Sequence, residues 1–279
     1  MIIDYFFSDG DETEYPHIYM RTRCEDGEII QKVLTPEHPE YVKPHCWIPV
    51  NTPPRLTSRV LSRYPGTTIG TRRAVGLDGI ELRPLNTVNP ADIYDIGNEL
   101  KSYEADKWYE DQVILSLFPE KIPEFHPRIW YFDLEWDVNH DWTTVMAVDD
   151  TLAEHPIVFA WREGQEETVD WIDREDGYML HLFGDEKSMH EAFITHLEAC
   201  DPDILVAHAL MWADLPHLMR RLDNPERLSP LGIITKPHNK YGYGDTQQPI
   251  KGRLCFDTAV QGSSGGFESL WIKSGRGQL

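Results

Sequence analysis

Between Arg128 and Asp137 the chain reads RIWYFDLEWD, and its side chains sort into two sets with a period of two. Successive side chains of a strand point to opposite faces, so this stretch predicts a strand whose one face is Trp130, Phe132, Leu134 and Trp136. The other face is Ile129, Tyr131, Asp133 and Glu135, two apolar residues followed by two carboxylates at the carboxyl end. The expectation is a core strand with one buried face and a paired-acid site at its tip.

Upstream, the pattern is β-rich. Strand-like runs occur at 2–7 and 17–24, then at 28–34 after the turn Glu25-Asp26-Gly27, a hairpin signal. A proline-rich loop from Pro36 to Pro54 encloses a short strand near 46–50, and 55–64 predicts a short helix with Thr57 or Ser58 near its start. Helical spacing returns in part between Pro90 and Tyr109, and the three prolines from Pro119 to Pro127 place a domain boundary near residue 125. Downstream, strands are expected at 143–148 and 156–161, joined by the acidic turn Asp149-Asp150, with further strands at 168–172 and 178–183. From Asp185, a plausible N-cap, to Cys200 the chain predicts a helix with Met189, Phe193, Ile194 and Leu197 on one side. Asp201-Pro202-Asp203 ends it, a buried strand follows at 204–207, and 215–222 predicts a second helix. Strands followed by alternating helix and strand make this an α/β domain over a mixed sheet, preceded by a β-rich α+β N-terminal domain. The domains are 1–125 and 126–279.

Composition narrows the chemistry. The 26 Lys+Arg against 47 Asp+Glu give a net charge of −21, so any nucleic acid would be met locally or through a metal. Lysine is scarcer than arginine, and an acid-rich, lysine-poor chain also suits high salt, where repulsion is screened. Cys24, Cys46, Cys200 and Cys255 are scattered with no C-x-x-C pair, which argues against structural zinc and a disulfide framework and for a reducing compartment. No apolar run is long enough for a membrane span, and the N-terminus lacks the basic region and cleavage site of a signal peptide.

Paired carboxylates on one face repel unless a cation or a shared proton intervenes, and oxygen ligands suit Mg²⁺ or Mn²⁺. Against that stands the plain alternative of a solvated strand end. Asp214 is a third acid, opening a helix just after the strand at 204–207; helix chemistry alone makes it an N-cap. Trp212, two residues earlier, would stack on a base or pack in the core, and the core is the commoner fate of such an aromatic.

Four segments together carry a resemblance: Phe132-Asp133-Leu134-Glu135, the run Asp201–His208, Asp214-Leu215-Pro216, and Lys251–Asp257, with Tyr103-Glu104-Ala105-Asp106 shortly before the boundary. In motif, order and spacing, over about residues 100–260, they resemble the 3′–5′ proofreading exonuclease domain of family B DNA polymerases. The resemblance implies a ribonuclease-H-like exonuclease domain behind an N-terminal domain, with the polymerase active site absent from this chain. Carried over, Asp133 and Glu135 match the first exonuclease motif and Asp214 the aspartate of the second. Two Mg²⁺ or Mn²⁺ ions would then clamp the attacking water and the leaving 3′ oxygen, with Asp133 bridging both, Glu135 on one and Asp214 on the other. The implied partners are a single-stranded DNA 3′ end or primer-template, and a second polypeptide carrying the rest of the polymerase. The implied location is the cytoplasm, cellular or of a virus-infected prokaryotic host.

The sequence departs from that family in three places. Ala209 stands where the family has Asn, and Ala213 where it has Phe or Tyr. The third motif, Tyr-x-x-x-Asp, is expected beyond the strand ending at Asp257 and a further helix, and is not reached by Leu279. Tyr241–Asp245 (YGYGD) fits it as text on the wrong side of that strand and reads as a decoy, while Asp257 reads as a structural acid. The exonuclease domain is thus expected to be incomplete at its C-terminal end, a natural split or a truncated polymerase. A non-catalytic scaffold that holds template for a partner is the second expectation, and a stand-alone nuclease using YGYGD the third.

Overall fold

The structure is a computed structural model that describes residues 1–8, 12–173, 177–236 and 248–259. The chain divides into two compact units, the first formed mainly by Ile3–Thr22 and Ile29–Glu124, the second mainly by the chain from Phe125 onward. YGYGD and everything after residue 259 lie outside the described residues.

The first unit holds a three-stranded sheet of β1 (Ile2–Phe6), β2 (His17–Arg23) and β3 (Ile29–Leu34) in sequence order. Next come β4 (His45–Pro49), α1 (Pro54–Arg63), β5 (Thr68–Ile69), β6 (Ala74–Val75) and β7 (Glu81–Asn86), followed by α2 (Asp92–Glu99) and α3 (Tyr109–Leu117). β7 is the centre of a second sheet, pairing with β4, β5 and β6. Ile48, Val60, Leu85, Ile93 and Ile96 make one small core, and Ile18, Leu34, Tyr109 and Val113 another. α1 begins on Pro54, whose missing N–H costs nothing in a first turn, and no side chain caps it; Thr57 lies a full turn inside. The two-residue strands β5 and β6, and the helix α3, carry too little periodicity to be read from sequence.

The second unit is built on a seven-stranded mixed sheet. Its strands are β8 (Ile129–Asp137), β9 (Trp142–Asp150), β10 (Ile157–Trp161), β11 (Thr168–Ile172), β12 (Tyr178–Phe183), β13 (Ile204–Ala207) and β14 (Leu254–Asp257), in the order β11-β12-β10-β9-β8-β13-β14. β9 runs antiparallel to β8 and β10, whereas β13 and β14 run parallel to β8, so the carboxyl ends of β8, β13 and β14 share one edge. Trp130, Phe132 and Leu134 are buried while Tyr131, Asp133 and Glu135 are exposed, the alternation expected of a strand covered on one face. The cover is α4 (Glu186–Cys200), whose Met189, Phe193, Ile194 and Leu197 pack onto that face, and α5 (Leu215–Arg221). Asp185 caps α4 by accepting the Ser188 N–H at 2.8 Å, and Asp201, at φ +47°, ends it in the left-handed region. No helix among the described residues is long and apolar enough to cross a membrane.

One expected turn is a strand. Asp149 and Asp150 are the last residues of β9, not a connection. Asp150 is buried because it has three donors: Arg128 Nε at 2.9 Å, Trp130 Nε1 at 2.7 Å and the Leu152 N–H at 2.9 Å. Burial alone would raise its pKa, but these donors hold the carboxyl below its ordinary value. Its stability contribution is therefore present above the unfolded carboxylate range and is lost as pH falls through the lower folded pKa. Asp150→Ala leaves Arg128 without its carboxylate and the Trp130 indole without its acceptor, and is expected to cost about 3 kcal/mol, read as an earlier urea midpoint by tryptophan fluorescence. A midpoint within error of wild type at pH 7 would remove this pairing from the forces that hold the sheet.

Candidate metal centre at the sheet edge

At its carboxyl end β8 presents Asp133 opposite Ala147 and Glu135 opposite Val145 on β9. The register then shifts: Trp136 lies opposite Thr143, leaving Thr144 as an extra residue whose hydroxyl donates to the Glu135 carbonyl at 2.9 Å. Such a bulge bends a strand and re-aims its side chains. Here it falls immediately after the second acid.

The third acid arrives by a different route. β13 lies parallel beside β8, with Val206 level with Tyr131, so the chain leaves β13 next to Asp133. Ala209 turns it at φ +63°, and a five-residue π-helical turn, Leu210–Asp214, leads directly into α5. π turns are uncommon and cluster at functional sites. The backbone of Asp214 is itself helical and its side chain caps nothing, which corrects the N-cap expected from sequence. The physical reason is the continuous π-to-α backbone: an N-cap needs a non-helical residue before the helix.

Asp214 is 3% exposed, and among the described residues its Oδ2 has no hydrogen-bond partner. Burial, then the charges of Asp133, Asp257 and Glu135, push its pKa up to about 7. Asp257, at the end of β14, accepts the Met211 N–H at 2.7 Å through Oδ2 and the Ala259 N–H at 2.8 Å through Oδ1. It thereby pins the π turn that carries Asp214, with one backbone donor on each of its oxygens. Trp212 is 45% exposed on that turn and not in the core, contrary to the commoner fate of such residues.

A groove of about 380 Å³ opens beside Asp133 on the uncovered sheet face, lined by Tyr131, Val206, His208 and Thr258 among others. A buried carboxylate oxygen without a partner among the described residues, in the field of the carboxylates of Asp133, Asp257 and Glu135, is a donor set of oxygen only, and it fits a hard divalent cation. Asp133, Glu135 and Asp214 are not drawn within 4.8 Å of one another; among the described residues the triple that tight is Cys24, Asp26 and Glu28. In that exposed turn Asp26 already accepts the Glu28 N–H, so hairpin geometry accounts for it.

No family model matches the chain, and no curated protein matches it. Among solved structures it is similar to the family B DNA polymerase from the hyperthermophilic archaeon Pyrobaculum calidifontis, at 15% sequence identity and a TM-score of 0.56. The match covers 95% of this chain and 37% of that one. At such identity the likeness shows a shared fold and a distant structural relationship.

Because the folded pKa of Asp214 is raised above its ordinary 3.8, the stability linked to its protonation is full below about pH 4 and lost as pH rises through about 7. Without divalent metal, Asp214→Asn is therefore expected to raise the melting temperature at pH 8 by about 3 °C or more, given ~2–4 °C per kcal/mol in a domain of this size. The gain should shrink steadily towards pH 4. A variant that melts below wild type at pH 8 would show that Asp214 is not under electrostatic strain.

Proposed function

We propose that this chain is the exonuclease-bearing region of a family B-like DNA polymerase, removing nucleotides from the 3′ end of DNA with divalent metal. The observation that carries the reading is the buried Asp214 carboxyl, whose Oδ2 has no hydrogen-bond partner among the described residues and which feels the charges of Asp133 and Glu135. The strand order supports it: β10-β9-β8-β13-β14, with only β9 antiparallel to β8 among its direct neighbours, is what a ribonuclease-H-like domain would need to bring acids to its carboxyl edge. The likeness to the archaeal polymerase points the same way.

Asp133, Glu135 and Asp214 would hold Mg²⁺ or Mn²⁺. When bound, such a pair of ions lowers the pKa of an attacking water and neutralises charge on the phosphodiester oxygens. The chain's own residues do the rest. The apolar floor of Tyr131 and Val206 beside Asp133 suits a sugar or base of a single strand, and exposed Trp212 offers a stacking surface. With a net charge of −21, little of the surface attracts a phosphate backbone, so the metal must supply much of the attraction at this edge. The chain spans 37% of the polymerase it resembles; primer extension and the fourth acid of the exonuclease set would come from a further polypeptide segment, in this reading a second chain.

One observation favours a feebler, template-holding role. Ala209 sits at φ +63°, a region costly for alanine and well tolerated by asparagine, the residue the resemblance leads one to expect there. The backbone keeps the shape while the polar side chain is gone. Two measurements separate the readings. Calorimetric titration with Mn²⁺ should show Asp133→Ala binding at least tenfold more weakly than wild type, and equal binding would sink the metal site. Release of labelled 3′ nucleotides from single-stranded DNA should be slow for wild type, absent for Asp133→Ala, and faster for Ala209→Asn, whose melting temperature should rise by about 2 °C. A stabilised Ala209→Asn protein with no nuclease activity, alone or with added polymerase, would leave the scaffold reading.

A further inference from the structure

Behind the acids lies a buried polar cluster that neither the motifs nor the metal reading uses. Its centre is Thr143, fully buried on β9 opposite Trp136, at the bulge that follows Glu135. The Thr143 Oγ1 is 3.0 Å from His217 Nε2 on α5 and 3.0 Å from His190 Nε2 on α4. Its N–H donates to Glu186 Oε1 at 2.8 Å, and its carbonyl accepts the Trp161 indole N–H. Glu186 in turn takes Arg221 Nε of α5 at 3.1 Å. Every polar atom of Thr143 is therefore engaged, and one hydroxyl joins both covering helices to one point on β9.

The same histidine ties the two halves of the acid set. His217 lies one helical turn after Asp214, and its ring stacks on Trp136, the residue after Glu135, at 4.8 Å between centroids and 19° between planes. On its outer side Asp141 Oδ1 stands 3.4 Å from Nδ1 and 3.7 Å from Arg220. Burial lowers the pKa of both histidines, His190 to about 4, so both imidazoles are neutral at neutral pH. A neutral imidazole has one donor and one acceptor nitrogen, and a hydroxyl can give to one ring and receive from the other. The link is therefore satisfiable without charge, in a place where an unmatched polar atom is costly.

We propose that Thr143 and His217 are positioning residues that set the spacing between Glu135 and Asp214 for a divalent cation. This rests on the metal-site reading. Glu135 is aimed by the bulge that Thr143 closes, and Asp214 by the turn of α5 that His217 anchors. The nearest physical precedent is the outer layer of a metal site, where loss of one supporting hydrogen bond weakens affinity about 10–100-fold.

The test compares Mn²⁺ affinity by calorimetry in wild type, Thr143→Val, Thr143→Ser, Asp133→Ala and Leu197→Ala, each with circular dichroism and a thermal melt. Thr143→Val keeps the shape and loses the hydroxyl; it should bind Mn²⁺ at least tenfold more weakly with its secondary structure intact. Thr143→Ser restores the hydroxyl and should bind within about threefold of wild type. Leu197→Ala destabilises the same core away from the acids and should leave affinity unchanged. Should Thr143→Val not fold, His217→Phe, which retains a ring against Trp136 and loses the link to Thr143, must show the same weakening. Wild-type affinity in a folded Thr143→Val or His217→Phe protein overturns the positioning role while leaving the metal site standing. Wild type binding no better than Asp133→Ala overturns both.

Discussion

Repulsion among carboxylates is the constraint around which the second unit is arranged. Asp133 and Glu135 share a face because strand geometry puts alternate residues together, and Asp214 is forced into their field under burial. Nothing local stabilises that confrontation. It persists because stronger packing surrounds it: Trp130, Phe132 and Leu134 anchor β8 from beneath, α4 and α5 cover them, and Asp257 holds the π turn through the Met211 N–H. A site that is electrostatically unfavourable without a cation and structurally over-determined is the usual signature of function rather than of stability.

The opposite end of the sheet shows how the same chemistry serves structure. Asp150 is as buried as Asp214, yet it meets Arg128, an indole N–H and a backbone N–H, and its pKa moves down where that of Asp214 moves up. Two equally buried aspartates in one unit thus take shifts whose opposite signs come from their neighbours. Arg253 adds to the structural end, donating to the Leu228 carbonyl at 2.9 Å and pairing with Asp201 at 2.9 Å. Paired charge lies at the amino ends of β8, β13 and β14, and at their carboxyl ends stand carboxylates that have no ion-pair partner among the described residues.

Where a pattern is long and one-sided, the fold was legible in the residues themselves. β8 alternates over nine residues and α4 repeats its apolar stripe over fifteen behind a capping aspartate, so faces and ends could be read directly. Short elements defeat that approach: β5 and β6 have two residues each, and α3 has no capping side chain to mark its start. Asp149-Asp150 looked like a turn because acids are rare inside strands; the donors of Arg128, Trp130 and Leu152 make Asp150 tolerable there. The pairing of Asp133 with Glu135 on one face was visible, whereas the backbone of Asp214 was not. A π turn differs from a helix start by hydrogen-bond register, which residue types do not encode. Trp212 sits on the same π turn at 45% exposure, outside the core where such an aromatic more often packs.

The bulge between Glu135 and Trp136 also sets what kinds of change this edge can absorb. Side chains of a strand keep count by two, and Thr144 is the odd residue that shifts the count once. Remove it, and the segment from Trp136 to Trp142 falls out of phase: the stack on His217 is lost and the Asp137–Asp141 turn faces the wrong way. Exchange one side chain for another here and the register survives. In descent from a common ancestor, β8 and β9 could therefore drift far in residue identity while staying fixed in length. Such a history leaves a fold that aligns in space when it no longer aligns in sequence.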